Sequence, residues 1–154
     1  MKKSIFLLLA LSAAIVSCDK SENENEEAKN DLKSADYIGT LTIDASSGSF
    51  DTDSTKVSFN TTDKSDSATI TMYQVKFSPK MPVSLDVTVP GITVVKTQKG
   101  AIITCDSIVP LAMGGEYPKY TVKDFEGEIV DDQLTFSLKF GSTPTSFSGH
   151  IQMQ

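Results

Sequence analysis

From Tyr37 onward the apolar residues recur at every second position, and this period limits what the chain can become. Successive strand side chains point to opposite faces, so such alternation describes strands with one buried and one wetted surface. Tyr37, Leu41 and Ile43 fall on one face of the first segment, and Thr40 and Thr42 on the other. Val57 and Phe59 share a side within 55–60. Pro79, Pro82 and Pro90 bracket Val83–Val89, whose alternation is clean, as expected where proline sits at strand ends. Leu134, Phe136, Leu138 and Phe140 share a face, and Phe147, Ile151 and Met153 alternate against Ser148, His150 and Gln152. In 68–77 the apolar phase slips from Ala68, Ile70 and Met72 to Tyr73, Val75 and Phe77, which predicts a bulge or sharp bend. Segments 92–97, 101–106 and 120–130 complete nine candidate strands. The Ser/Gly/Asp stretch 45–53 reads as a loop, 61–66 as a turn and 110–118 as an irregular Gly-Gly loop. Gln98-Lys99-Gly100 and Asp131-Asp132 read as tight connections. Past residue 35 no stretch carries a 3.6-residue period.

Short connections between neighbouring strands make the pairing antiparallel and the class all-β. With strands at both ends of the pattern, the expected architecture is a single antiparallel up-and-down β-barrel of about eight strands. Pairing its first and last strands removes the open edges.

The first 34 residues obey other rules. Lys2 and Lys3 precede an apolar run, Ile5 to Leu11, and small residues lead to Ser17-Cys18. That order is the anatomy of a secretory signal, and the run is too short for the roughly 20 apolar residues of a membrane span. A Cys directly after a small residue here resembles a bacterial lipobox. The resemblance implies that 1–17 is a lipoprotein signal peptide and that Cys18 is acylated with palmitate-like chains. The membrane is then a partner through that N-terminal lipid, because more than one chain is needed for firm anchoring. Residues 18–34 form the lipidated Cys and an acidic tether. Residues 19–27, Asp19-Lys20-Ser21-Glu22-Asn23-Glu24-Asn25-Glu26-Glu27, have nothing apolar to bury and stay solvated. Stretched out, 19–34 reaches about 50 Å at roughly 3.3 Å per residue. The acidic cluster resembles the surface-export signal of some Gram-negative lipoproteins, whereas Asp19 directly after the Cys resembles an inner-membrane retention signal in enteric-type sorting. The reading adopted is a bacterial outer-membrane lipoprotein displayed at the cell surface.

The domain at 35–154 also carries a resemblance. Tyr37-Ile38-Gly39-Thr40-Leu41-Thr42-Ile43 looks like the opening of the calycin-like β-barrel lipoproteins. Val122-Lys123-Asp124-Phe125-Glu126-Gly127-Glu128-Ile129, followed by Leu134-Thr135-Phe136-Ser137-Leu138, is similar to their closing hairpin. The resemblance implies a small lipocalin-related barrel and carries over no ligand residue.

Charge narrows the partners. All 14 basic residues are Lys, and the net charge of −6 becomes −8 once Lys2 and Lys3 leave with the signal. An acidic surface without Arg repels nucleic acid and lacks the planar fork that grips phosphate. The absence of Trp weakens the case for an aromatic sugar platform, although four Tyr could substitute.

Catalytic arrangements are thin, and the chain is read as no enzyme and as needing no cofactor. His150, the one histidine, lies on the polar side of the last strand, and no Gly-x-Ser-x-Gly elbow accompanies it. Cys105 sits in Ile102-Ile103-Thr104-Cys105 and reads as a packed, inert thiol. One His and one free Cys make no metal cluster, so no metal site is expected. The turn acids Asp51, Asp53, Asp63, Asp66, Asp131 and Asp132 lack the full spacing of a calcium loop. Asp53-Ser54-Thr55, Asp66-Ser67-Ala68 and Asp106-Ser107-Ile108 resemble O-glycosylation tripeptides of the same Gram-negative lineage, making Ser54, Ser67 and Ser107 candidates for modification. Tyr117 and Tyr120 flank the Gly-Gly loop and are candidates for the mouth of the barrel. Phe136, Phe140 and Phe147 can face one interior. These five are the candidate ligand-binding residues.

Two functions follow. The first is a non-catalytic binding module holding a small apolar or amphipathic ligand in the barrel. The second is a structural or protein-interaction lipoprotein whose barrel is filled by side chains and acts through its loops. Both are open at about eight strands, where the interior is either just filled or holds one ligand.

Overall fold

Antiparallel pairing runs from strand to strand until it returns to its origin. The computed structural model describes residues 32–61 and 66–153. Among them are β1 (Ala35–Ala45), β2 (Gly48–Thr61), β3 (Ser67–Val75), β4 (Leu85–Thr97), β5 (Gly100–Ile108), β6 (Leu111–Ala112), β7 (Gly115–Glu116), β8 (Val122–Val130), β9 (Gln133–Phe140) and β10 (Thr143–Ile151). Eight of them form a closed up-and-down barrel in the order β1, β2, β3, β4, β5, β8, β9, β10, and β10 returns to β1 from Tyr37↔Ile151 to Ile43↔Thr145. The expected architecture is therefore the observed one. The short β6–β7 hairpin hangs from β4 through Thr88↔Leu111.

Several boundaries differ from expectation. The stretch 45–53 is mostly strand, because β2 starts at Gly48, and its Ser, Gly and Asp residues had masked it. Segments 83–89 and 92–97 merge into one strand, β4, that starts at Leu85 and passes through Pro90 and Gly91, while Val83 lies in the preceding connection and is exposed. Those two residues face the single residue Thr69 on β3, and Gly91 takes φ +71°. The inserted residue is a β-bulge, and it keeps Val87 and Val89 inward before it and Ile92 and Val94 inward after it. The predicted phase slip in β3 is the same device: Tyr73 and Gln74 face Asp86, Gln74 has φ 57°, and its N–H donates to Asp86 Oδ1 at 3.0 Å. Similar bulges fall at Asp53–Ser54 in β2 and Asp124–Phe125 in β8, each with one residue at positive φ. Bulges increase local twist and curvature, which lets a sheet of this size close.

The interior is packed. Ile43 on β1, Val57 and Phe59 on β2, Ile70 and Met72 on β3, Val89 and Ile92 on β4, Ile103 on β5, Val122 on β8 and Leu134 on β9 are each 0% exposed. A void large enough for water would leave accessible surface on the side chains lining it, and these have none. Phe125, Phe136 and Phe147, from β8, β9 and β10, stack in a column with centroids 5.2 and 5.3 Å apart. The outward positions of the same strands carry Thr, Ser, Glu and Lys. A membrane-spanning barrel shows the opposite sidedness, with an apolar band outside. Among the described residues no helix is long and apolar enough to cross a membrane.

The two ends are unlike. At one, Leu32 is 8% exposed and packs into the core, while the Ser34 hydroxyl and backbone of Thr61 exchange hydrogen bonds of 3.0 Å in both directions. Residues 32–34, expected to belong to a solvated tether, are thus seated in the folded body. At the far end the long connections 76–84 and 109–121 carry four exposed apolar residues, Val83, Val109, Leu111 and Met113. Met113 and Gly114 form a two-residue turn between Ala112 and Gly115 with φ of 54° and 82°, the type I′ pattern.

The β4–β5 turn is Gln98–Lys99, one residue shorter than the Gln98-Lys99-Gly100 expected, and Gly100 pairs with both Thr97 and Val130. A Cβ there would lie 1.8 Å from the carbonyl oxygen of Ile129, so the residue is glycine because β8 runs too close for anything larger. Gly100→Ala is expected to cost about 1–3 kcal/mol by overpacking, whereas Gly115→Ala, with nothing near its Cβ, should change stability by less than about 0.5 kcal/mol. Urea unfolding of both variants measures the difference, and equal costs would contradict the tight β5–β8 approach.

Candidate functional site

Chemistry-bearing side chains occur at the far end, on the outer wall of β8, β9, β10 and β1, and at a polar cluster on β1–β2–β3. At the far end, a 3-10 turn at Pro118–Tyr120 folds Tyr120 onto Phe77, with ring centroids 4.0 Å apart and planes within 10°. Phe77 meets Phe140 edge-on at 4.9 Å, and Tyr117 stacks outside Tyr120 at 5.2 Å. Lys119 Nζ lies 5.4 Å from the Tyr120 ring centre. Stacked aromatics at these distances gain more than their buried area alone supplies. Tyr117 and Tyr120 therefore form a plug where a mouth had been expected. Of the other candidate ligand residues, Phe140 is buried under this plug, while Phe136 and Phe147 stand in the interior column, 4% and 3% exposed. The five are split between two aromatic groups and do not converge on one space.

The outer wall was not singled out in the sequence. Two neighbouring rows of outward side chains cross four strands: Glu128, Thr135, Ser148, Thr40 and, beside them, Glu126, Ser137, Ser146, Thr42. They line an open groove of about 660 Å³ whose far side is Ile102, paired with Glu128 and 47% exposed. At the other margin Thr40 and Thr42 donate to Asp53 and Asp51 at 2.9 and 2.7 Å. Those two acids, expected in a loop, thus stand on a strand. The only hint in sequence was that the polar half of the alternation here is Ser and Thr. A second hollow, of about 450 Å³, lies at the tether end between Leu32–Ala35 and the Gln98–Gly100 turn.

The polar cluster joins Asp36, Lys56, Ser58 and Tyr73. Lys56 Nζ lies 2.8 Å from Asp36 Oδ2, and the Ser58 hydroxyl donates to Asp36 Oδ1 at 2.5 Å. Lys56 also sits 5.3 Å from the Tyr73 ring centre. Ser58 is 7% exposed although it points outward, because these neighbours cover it. The Lys56 hydrogen bond, then the one from Ser58, hold the Asp36 carboxyl below its usual range. The same bond raises Lys56. The arrangement is a cross-strand latch with its donors and acceptor already engaged.

Cys105 is half-buried beside Phe125, and desolvation, followed by the charge of Asp106, pushes its thiol up to about 11. At neutral pH such a thiol is protonated and a poor nucleophile. His150 is exposed on β10 between Ile38 and Gln133. Ser54, Ser67 and Ser107 are all exposed, on β2, β3 and β5 respectively. Cys18, residues 1–17 expected to form the signal peptide, and the acidic run through Glu27 lie outside the described residues, as does Asp63. Among the described residues no group of three or more His, Cys, Asp or Glu is placed to hold a metal ion.

Compared with known proteins, the chain matches no protein-family model, no curated protein and no solved structure. The closed eight-stranded antiparallel barrel is consistent with the calycin-like fold that the residues at 37–43 and 122–138 resemble, and none of these comparisons supports the lipoprotein family.

The latch has a pH signature. A carboxyl lowered on folding stabilises the fold fully above its unfolded value, and the contribution is lost as pH falls through the folded value. Asp36→Asn is expected to lower the Tm at pH 7, and the deficit should shrink as pH falls through the folded value of Asp36. Thermal unfolding followed by circular dichroism reads this, and a deficit that stays constant with pH would contradict it.

Proposed function

We propose that this chain is a non-catalytic binding module that works from the outside of a side-chain-filled barrel. The observation that carries this reading is the row of wholly unexposed side chains contributed by seven of the eight barrel strands, β1, β2, β3, β4, β5, β8 and β9. Eight strands are the size at which an interior is either just filled or holds one ligand. Here the positions a small apolar ligand would occupy are taken by Ile70, Ile103, Leu134 and the Phe125–Phe136–Phe147 column, and Tyr120 on Phe77 covers the end. Contact with a partner then falls to the polar outer wall and the far-end connections.

In this reading acyl chains on Cys18 hold the domain at a bacterial outer membrane, on its surface, by way of the acidic tether. Leu32 and Ser34 bring the chain into the barrel at one end, and the Met113 turn and the 76–84 connection lie at the other. O-glycans on Ser54, Ser67 or Ser107 would modify exposed positions on three different strands and alter solubility rather than binding chemistry. No catalytic step is assigned: Cys105 is held as a thiol, and it stands on β5 while His150 stands on β10.

Phe136→Ala tests the filled interior. Removing a ring from the middle of a packed column is expected to cost about 3–5 kcal/mol. The parent should show no saturable binding of an environment-sensitive apolar dye, and native mass spectrometry of protein from its own host should show no bound small molecule. Stoichiometric dye binding that raises the parent Tm would overturn the reading in favour of a ligand carried inside the barrel.

A further inference from the structure

The outer groove has a charge pattern that the barrel itself does not use. Glu126 and Glu128 stand two residues apart on β8, facing outward, and no basic residue lines the groove with them. On the flanking rows Lys139 lies 2.8 Å from Asp124 and Lys56 pairs with Asp36, while Lys123 stands opposite Lys139, outside the groove lining. Among the described residues neither Glu126 nor Glu128 has an ion pair. Asp51 and Asp53 add negative charge beyond the opposite margin. We propose that this groove receives an extended basic segment of a partner protein, crossing β8, β9, β10 and β1 with Lys or Arg side chains on Glu126 and Glu128. The proposal rests on the outer-surface reading above and names the chemistry of the partner.

Shape and composition both favour a peptide. Strands lie about 4.8 Å apart, so the path from β8 to β1 is about 14 Å, the length of four or so extended residues. The floor between is paved with Ser and Thr hydroxyls: those of Thr135, Ser137 and Ser146 can donate to a peptide carbonyl or accept from a peptide N–H, while Thr40 and Thr42, already donating to Asp53 and Asp51, can only accept. Ile102, half exposed beside Glu128, offers apolar surface to the aliphatic stem of a Lys whose ammonium reaches the carboxylate. Phosphate-bearing partners, lipid headgroups and nucleic acids alike, meet a chain of net charge −6 and are repelled.

The test is an NMR titration of the full chain with a ten-residue peptide of alternating Lys and Ser, with a Glu/Ser peptide and spermine run in parallel. The expected result is saturable shifts confined to β8, β9, β10, β1 and Ile102, with no response to the Glu/Ser peptide and weaker binding of spermine. Glu126→Gln with Glu128→Gln should weaken the Lys/Ser peptide about fivefold at low salt. Asp131→Asn with Asp132→Asn removes the same charge at the tether end and should weaken it by less than about twofold. Equal losses in the two double variants would reduce the effect to bulk charge and overturn the proposal. So would shifts elsewhere, no saturation at millimolar peptide, or spermine binding as tightly as the peptide. Each of these failures leaves the outer-surface reading standing, which only a ligand inside the barrel overturns.

Discussion

The pairing of β10 with β1 is the interaction on which the remaining structure depends. Without it, two long strands would present free N–H and C=O groups to any other chain. With it, every barrel strand has two neighbours, and the side chains of each are divided between a closed interior and a continuous outer wall. Closure demands curvature, and this chain obtains it at four bulges, Ser54, Gln74, Gly91 and Asp124 each taking positive φ. The bulges also correct phase. An apolar pattern that slips by one residue in β3, or is interrupted by Pro90-Gly91 in β4, still sends its large side chains inward.

Packing density follows from closure and decides the function that can be argued. Large residues from every side meet in the middle, with three phenylalanines stacked along one wall and an aromatic plug at one end. A core of this kind makes the barrel a rigid support. The groove on its wall is then positioned by regular strands rather than by loops, so its two carboxylates and its rows of hydroxyls keep a fixed spacing. The latch at Asp36, Lys56 and Ser58 belongs to the same outer surface, but its groups are spent on one another.

Much of the fold was legible in the sequence because the inward residues are apolar and alternate. Tyr37, Leu41, Ile43, Leu134, Phe136, Leu138 and Phe140 are all buried where the period placed them. The first half of β2 was missed because its inward position, Phe50, stands among Ser, Gly, Asp and Thr, a composition shared with loops. Pro90 split β4 on paper because proline at mid-strand is tolerated only at a bulge, and bulges leave little trace in composition. The groove was illegible for a different reason. It is assembled from single Ser, Thr and Glu residues on separate strands, and only the register brings Thr40 beside Ser148 and Ser148 beside Thr135. Tyr117 and Tyr120 were rightly drawn together from their flanking of the Gly-Gly loop, but their partner Phe77 lies some forty residues away in sequence, so a plug could not be told from a mouth.

A hollow barrel and a filled one share topology and sidedness, so the central claim turns on empty space. Dry apolar cavities take up xenon, whereas packed interiors do not. Methyl NMR spectra of the full chain under xenon pressure should therefore show only small, uniform shifts for Ile43, Ile70, Ile103 and Leu134, like those of exposed methyls. Large saturable shifts clustered on these four residues would place a cavity at the centre of the barrel and contradict the account.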